Sequence, residues 1–363
     1  MGNNNNNNNN NNLIEVPKLK VEDRKQLTKL DILRKLSSGT ELRDGINDIV
    51  NGRMGALIVI SNPKVFNIFQ GGFRVDCKFT SKRLVELAKM DGGIILSENF
   101  KKILYANTLL VPDRGLSSFE TGSRHQAAER TAKQTNGLII AVSQRKGEIT
   151  IFNGSSKYIL QHTEALLRRA TETLQILEKQ RDVFNELLTN LNVLEITNLV
   201  SVGDVCKILQ RINMIKKMAK IINENIIELG KDGIILRMRM REIIRGIEKE
   251  EFLIVQDYIQ KPFRTIQFFE SLNFDEILDL ENIANNLFEE SLDKEIFPKG
   301  YRILNKTGLG KIQIESLVKF FHNLNDIVNS NENELEEILR EKTGIFKKEF
   351  NHLREQILVG RRV

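Results

Sequence analysis

The chain has 363 residues, with 54 Lys+Arg against 48 Asp+Glu for a net charge of +6, 28% charged residues, 6% aromatics and no tryptophan. Its length suits two or three domains of roughly 100–200 residues each. Cys77 and Cys206 offer no disulfide framework or C-x-x-C pair, and His125, His162, His322 and His352 fall at no structural zinc spacing. No apolar run approaches the ~18–20 residues that cross a bilayer, so disulfide scaffold, zinc protein and membrane-spanning protein are all excluded as readings.

Asn3 to Asn12 form an uninterrupted asparagine tract that has no apolar surface to bury, and residues 1–15 are expected to be a disordered tail. The tract stands where a secretory signal would need an apolar core, so the expected place of the protein is the cytoplasm. From Leu19 to about Asn51, Leu27, Leu30, Leu33 and Leu36 and then Leu42, Ile46 and Ile49 recur at helical spacing until Gly52 stops the pattern. The period then changes. Ala56–Ile60, Asn67–Gln70, Gly93–Leu96, Ile103–Leu109, Leu138–Val142 and Glu148–Phe152 read as strands bounded by Gly, Pro, Asn or Asp, with helices at Ser81–Met90 and Arg124–Gln134 between them. Helices interleaved with a mixed sheet predict an α/β domain over residues 16–156.

After Tyr158 the strand signal fades. Leu167, Ala170, Leu174, Leu177, Phe184, Leu188 and Leu191 mark a long amphipathic helix, and further helical runs cover Val202–Leu229, Ile234–Gln260 and Phe274–Phe288. Residues 157–297 are therefore expected to be all-helical. Pro298-Lys299-Gly300 opens a last helical segment, 298–363.

Two stretches carry chemistry. Gly122-Ser123-Arg124-His125 leads into a helix, which places free backbone N–H groups, a hydroxyl and one or two cations at a helix start, an arrangement that binds phosphate. The same residues also suit a plain N-cap followed by a solvated charge. Asp91-Gly92-Gly93 enters a strand with a carboxylate and two glycines that let a ligand approach the backbone, although the tripeptide is also an ordinary turn. No Walker loop, dinucleotide fingerprint or nucleophile elbow competes with them.

Taken together, Asp91-Gly92-Gly93, Leu110-Val111-Pro112, Arg114-Gly115-Leu116, Phe119-Glu120-Thr121-Gly122, Ser123-Arg124-His125 and the following Ala-Glu-Arg…Ala-Lys-Gln resemble the nucleotide-binding domain of the bacterial diadenylate cyclases. The three-part architecture resembles that of the family's DNA-binding members. This resemblance implies condensation of two ATP molecules into cyclic di-AMP with release of two pyrophosphates, with Mg²⁺ or Mn²⁺. It also implies a homo-oligomer, an octamer, in which two sites face each other. Asp91 would hold the metal and activate the ribose 3′-OH, and Gly92 and Leu110 would line the adenine and ribose pocket. Ser123, Arg124 and His125 would grip the triphosphate, with Arg124 and His125 catalytic, and Gln126 and Ala127 complete the ATP-contacting positions.

Three residues depart from the family pattern. Gly93 stands where the family has alanine, Gln126 replaces the second arginine of Arg-His-Arg, and Ala127 replaces the threonine after it. A lost charge-assisted phosphate bond costs ~1.5–3 kcal/mol and a lost neutral one ~0.5–1.5 kcal/mol. A second reading follows from them: a DNA-binding scaffold or nucleotide sensor with an impaired cyclase site.

At the C-terminal end, Leu304 to Ile312 looks like a helix-hairpin-helix element. Gly308 and Gly310 would aim amides at a DNA phosphate, and Lys306 and Lys311 would add charge. The resemblance implies branched DNA as the regulating partner and association with the nucleoid. Lys342 to Lys348 resembles a second hairpin in which Phe346 replaces a glycine. Residues 301–363 carry 11 basic against 9 acidic residues, whereas 207–249 carry 11 against 5. In that second stretch Arg237, Arg241 and Arg245 share one helix face, suited to a DNA track or simply to solvent.

Overall fold

The computed structural model describes residues 27–260 and 262–361. The asparagine tract and the start of the first expected helix lie outside the described residues. The chain divides into two compact units after His162.

The first unit begins with helices α1 (Lys29–Lys35) and α2 (Glu41–Asn51), opened by Thr28 and Thr40, whose side chains accept from the amides of Asp31 and Arg43. Strands β1 (Ala56–Ile60), β2 (Phe69–Gln70) and β3 (Phe73–Lys78) follow, then α3 (Ser81–Ala88), β4 (Gly93–Leu96), β5 (Lys102–Leu110), α4 (Ser123–Thr135), β6 (Leu138–Val142), β7 (Ile149–Asn153) and β8 (Ser156–Leu160). They form one eight-stranded sheet in the order β2-β5-β4-β1-β6-β7-β8, with β3 also pairing β5. Only β1 and β4 run parallel, so the sheet is mixed. Strands β1, β4 and β6 are buried along their whole length, as strands covered on both faces must be. On one face Leu57, Val59, Ile139 and Ala141 pack against Ala128 and Ala132 of α4.

Two strands escape the sequence pattern. β3 alternates Phe73, Val75 and Cys77 with Arg74, Asp76 and Lys78, but none of its residues is fully buried, and β8 opens with the polar pair Ser156-Lys157 and has no alternation. The domain boundary expected after residue 156 would cut through β8, which pairs with β7 from Asn153↔Ser156 to Ile149↔Leu160, and the structure places the boundary after His162 instead.

The second unit is helical: α5 (Thr163–Thr197), α6 (Val202–Leu229), α7 (Ile234–Ile244), α8 (Ile247–Tyr258), α9 (Pro262–Ser271), α10 (Phe274–Leu278), α11 (Leu280–Leu287), α12 (Tyr301–Leu304), α13 (Lys311–Phe321), α14 (Leu324–Asn329), α15 (Glu332–Leu339) and α16 (Thr343–Leu358). The run expected over Ile234–Gln260 is two helices, because Gly246 adopts φ +80° and turns the chain between α7 and α8. The apolar stripe of α5, including Leu174, Leu177, Phe184 and Leu191, is buried against α6.

No division at residues 297/298 separates two compact units, and a buried polar cluster explains why. Asp257 at the end of α8 accepts the amides of Gly300 at 2.8 Å, Tyr301 at 2.6 Å and Arg302 at 2.9 Å, capping α12. Burial and nearby Glu195 push the Asp257 carboxyl up to about 7, against the pull of those amides and Arg302. The fully buried Arg302 guanidinium pairs with both oxygens of Glu195 on α5, and Tyr258 donates to Glu195 at 2.7 Å. Burial disfavours the Arg302 charge, but Glu195 outweighs it and holds the guanidinium charged. Breaking a buried pair strands the remaining charge, so Arg302→Met is expected to destabilise the second unit by about 3–5 kcal/mol. Removing one partner of an exposed pair, as in Lys89→Met, is expected to cost less than about 1 kcal/mol. Urea unfolding followed by circular dichroism measures both.

Candidate functional site

The starts of β1 and β4 and the ends of β5 and β6 meet at one edge of the sheet, since Leu57 pairs with Gly93, Gly93 with Thr108 and Ala56 with Val142. A cavity of about 450 Å³ opens there, lined by Gly92, Thr108, Leu109 and Leu110 from the sheet, by Gly122 to His125 and Ala127 from α4, and by Ser143, Gln144 and Arg145 from the β6–β7 turn.

Helix α4 starts differently from α2 and α3. Those two carry threonine caps, Thr40 and Thr80, whereas the N-cap of α4 is Gly122, which has no side chain to occupy the first-turn amides. Ser123 is therefore the first helical residue and not the cap, and the amides of the first turn stay open beside the cavity. Arg124 reaches back over Gly55, where a Cβ would collide with the guanidinium. His125 is half-buried, its ring edge-on to Phe152 at 6.5 Å. Burial lowers its pKa, Glu120 opposes this, and Arg124 adds to it. The ring is thus neutral near pH 7.

Gly92, at φ +91°, is held to glycine twice over, because a Cβ there would also lie 2.8 Å from the Thr108 carbonyl oxygen. The Thr108 hydroxyl donates to the Gly93 carbonyl at 2.8 Å, and a Cβ at Gly93 would sit 3.1 Å from that hydroxyl oxygen. With Thr108 in place, glycine fits better than the family's alanine. Asp91 is exposed and directly precedes Gly92. Among the described residues no group of three or more His, Cys, Asp or Glu is placed to hold a metal.

The polar side of α4 is committed to the preceding loop. Gln126 Nε2 donates to the Glu120 carbonyl at 2.8 Å, Arg130 to the Leu116 carbonyl at 2.9 Å and Lys133 to the Ser117 carbonyl at 2.8 Å, while Gln134 accepts the Asp113 amide at 2.9 Å. Glu129 accepts from the Ser118 hydroxyl at 2.6 Å and the Phe119 amide at 3.1 Å. Burial works against its charge, yet Lys133, Ser118 and Phe119 together hold its carboxyl below the ordinary range. Glu120 in turn pairs with Lys157 on β8 at 2.5 Å. This corrects the expectation for Gln126: its amide is a loop clamp and it does not line the cavity, whereas Ala127 does. Sequence reasoning missed Thr108, Ser143, Gln144 and Arg145, which join the cavity only through sheet register and the β6–β7 turn, and Gly55, which makes room for Arg124. The family pattern Ala-Glu-Arg…Ala-Lys-Gln was visible, but its clamping role was not.

In the second unit, α12 and α13 are joined by the turn 305–310. Lys306 is half-buried, and burial, then the neighbouring Arg302 guanidinium, lower its pKa. The Gly308 amide donates to Glu349 on α16 at 2.9 Å, the Gly310 amide donates to Gln313 at 3.0 Å, and Lys311 is exposed with Glu315 at 3.8 Å. The second hairpin-like stretch is the start of α16, with Phe346 buried in the core.

Open first-turn amides, Arg124, Arg145 and a glycine entry on one cavity define a phosphate-gripping, nucleotide-binding α/β domain, carried here with a helical second unit. Residues 43–157 match the family described as DisA bacterial checkpoint controller nucleotide-binding, and residues 160–292 match the DisA bacterial checkpoint controller linker region. The DNA integrity scanning protein DisA of Acetivibrio thermocellus is 40% identical over 327 residues, 87% of this chain and 91% of the relative. The protein of the same name from Clostridium botulinum strain Alaska E43 is 37% identical over 344 residues, 92% and 97% of the two chains. That of Carboxydothermus hydrogenoformans is 40% identical over 317 residues, 84% and 90%. The chain belongs to the DNA integrity scanning protein DisA family. Membership supports a diadenylate cyclase role. No described helix is long and apolar enough to cross a membrane.

The depressed His125 pKa gives a direct test. In an NMR titration of the nucleotide-free protein its midpoint is expected below the ordinary histidine range, and stability is expected to fall as the pH drops from the ordinary histidine value to that lowered midpoint, because in that window the unfolded ring binds a proton that the folded ring does not. Glu120→Gln removes the opposing charge and is expected to lower the midpoint further. Bound phosphates would raise it.

Proposed function

We propose that this chain is a diadenylate cyclase that joins two ATP molecules into cyclic di-AMP. The observation that supports it most is the cavity at the uncapped start of α4, where backbone amides and two guanidiniums, Arg124 and Arg145, surround space beside Gly92. Each ribose 3′-oxygen attacks the α-phosphorus of the other nucleotide, a P–O bond forms, pyrophosphate leaves, and the hydroxyl proton is lost. One cavity holds one nucleotide, so the reaction requires a second copy of the chain facing the first, consistent with the octamer that the resemblance implies.

The residues divide the work by chemistry. Ser123, Arg124, His125 and the first-turn amides of α4 orient the triphosphate and stabilise charge on its oxygens. Leu110 and Gly92 flank the adenosine. Asp91, a hard oxygen donor at the rim, fits Mg²⁺ or Mn²⁺, because such ions are held by one or two carboxylates together with substrate phosphates. When bound, the ion neutralises phosphate charge. Arg145, on the cavity wall with no ion pair among the described residues, supplies a second guanidinium of the kind that Gln126 no longer offers.

For the second unit, we read the turn 305–310 between α12 and α13 as a helix-hairpin-helix element that meets DNA through its backbone, with branched DNA restraining synthesis near the nucleoid. The printed name of the relatives, DNA integrity scanning protein, supports this.

The test is incubation of the purified protein with ATP and Mg²⁺ or Mn²⁺ and chromatography of the products. Cyclic di-AMP is expected, and Asp91→Asn is expected to abolish it. No product with either ion from folded, oligomeric protein would overturn the reading in favour of a scaffold with an impaired site. Because Ala127 lines the cavity and Gln126 does not, Ala127→Thr is expected to raise turnover about 2- to 10-fold, the range of one neutral hydrogen bond. Gln126→Arg is expected to change it less.

A further inference from the structure

The turn 305–310 offers little free positive charge. Lys306 is half-buried, the Gly308 amide is taken by Glu349 and the Gly310 amide by Gln313, which leaves Lys311 as the fully exposed cation. Phosphate-backbone binding draws its affinity from cations that displace counterions, roughly 0.9 per phosphate neutralised. The cations are elsewhere in the same unit.

A cavity of about 750 Å³ lies among α6, α7 and α8. It exists because the chain leaves the helix at Arg245, and Gly246 at φ +80° restarts it as α8. That turn sets Arg241 and Arg245, at the end of α7, and Lys249, on α8, around one opening with Lys216 and Lys220 of α6. Lys216 is neutralised by Glu251 at 2.8 Å. Lys220, Arg241, Arg245 and Lys249 are exposed and make no ion pair among the described residues, and Glu248 is the one acid on the rim. Beneath them Ile215, Ala219, Met240 and Ile247 are buried, so what faces solvent is chiefly charged.

We propose that this cation-rimmed cavity binds the phosphodiester backbone of DNA, and that it is the main electrostatic contact of the second unit, continuing the track that begins at the turn 305–310. The inference rests on the DNA-binding reading above and adds where the charge for it resides. Continuity is supported by α8, which carries Lys249 on the rim and packs against α12, the helix leading into the turn, with Glu250 beside Lys249 standing 3.9 Å from Arg302. A polymer fits better than a small anion. The four cations come from three helices and stand on the rim, and no buried polar side chain lines the cavity to select one compact phosphate.

The test is fluorescence anisotropy of the full chain with a labelled four-way DNA junction across a salt series. Wild type is compared with the quadruple variant Lys220→Gln, Arg241→Gln, Arg245→Gln, Lys249→Gln, and with Lys311→Gln alone. The quadruple variant is expected to bind at least about tenfold more weakly at moderate salt and to flatten the log–log salt slope by roughly 3–4 units, against about 1 unit for Lys311→Gln. The double variant Lys220→Gln, Lys249→Gln, less prone to disturb folding, is expected to show about half the slope change. Wild-type affinity and slope in both cavity variants, with weakened binding by Lys311→Gln, would overturn the proposal and leave the DNA reading standing. Absence of DNA binding by the wild type would overturn both. Loss of inorganic tripolyphosphate binding by calorimetry, with DNA binding intact, would overturn the proposal in favour of a small-anion site.

Discussion

The nucleotide site depends on one constraint: helix α4 must hold its preceding loop while keeping its own first turn open. Gln126, Glu129, Arg130, Lys133 and Gln134 tie the loop 113–120 down through its backbone, and Ala128 and Ala132 seat the helix on the sheet. Two of the three sides of the helix are thereby spent. What remains is the end, where Gly122 withholds a cap and leaves amides, Arg124 and His125 beside Gly92 and Thr108. An uncapped helix start is ordinarily a small instability. Here the clamp offsets it, and the open amides are free for anions.

A similar division of labour shapes the helical unit. The buried cluster of Glu195, Arg302, Tyr258 and Asp257 joins α5, α8 and α12, so the C-terminal helices form one body with the rest of that unit. Burial, and then the positive charge of Arg302 held inside, disfavour the charge of the half-buried Lys306. A surface that looks basic in sequence is thus partly consumed by structure. The unconsumed cations stand around the α7–α8 turn, where Glu248 is the one acid among the residues that line the cavity.

Much of the architecture was legible. Local signals carried the buried strands, the long amphipathic α5 and the start of α4, since strand alternation and helical spacing follow directly from where the core lies. Strands β3 and β8 were not legible, because neither presents a buried apolar run, and β3 is held by pairing with the distant β5, from Phe73↔Ala106 to Lys78↔Lys102. Gln126 was legible as a departure from the family pattern. That it serves the loop and not the ligand was not, because Gln126 and Ala127 are adjacent in sequence and diverge only by the pitch of the helix.

The amino-acid sequence alone determined the α/β-then-helical order, the residues of the phosphate-gripping helix start and the family resemblance, all of which are written in contiguous stretches. Tertiary structure alone decided that Thr108 and Arg145 share the cavity, that Gly55 lies under Arg124, that Lys306 is half-buried, and that Lys220, Arg241, Arg245 and Lys249 gather on one rim. These are proximities between distant segments, set by sheet register and helix packing, and pairwise closeness of that kind has no signature in a single linear sequence.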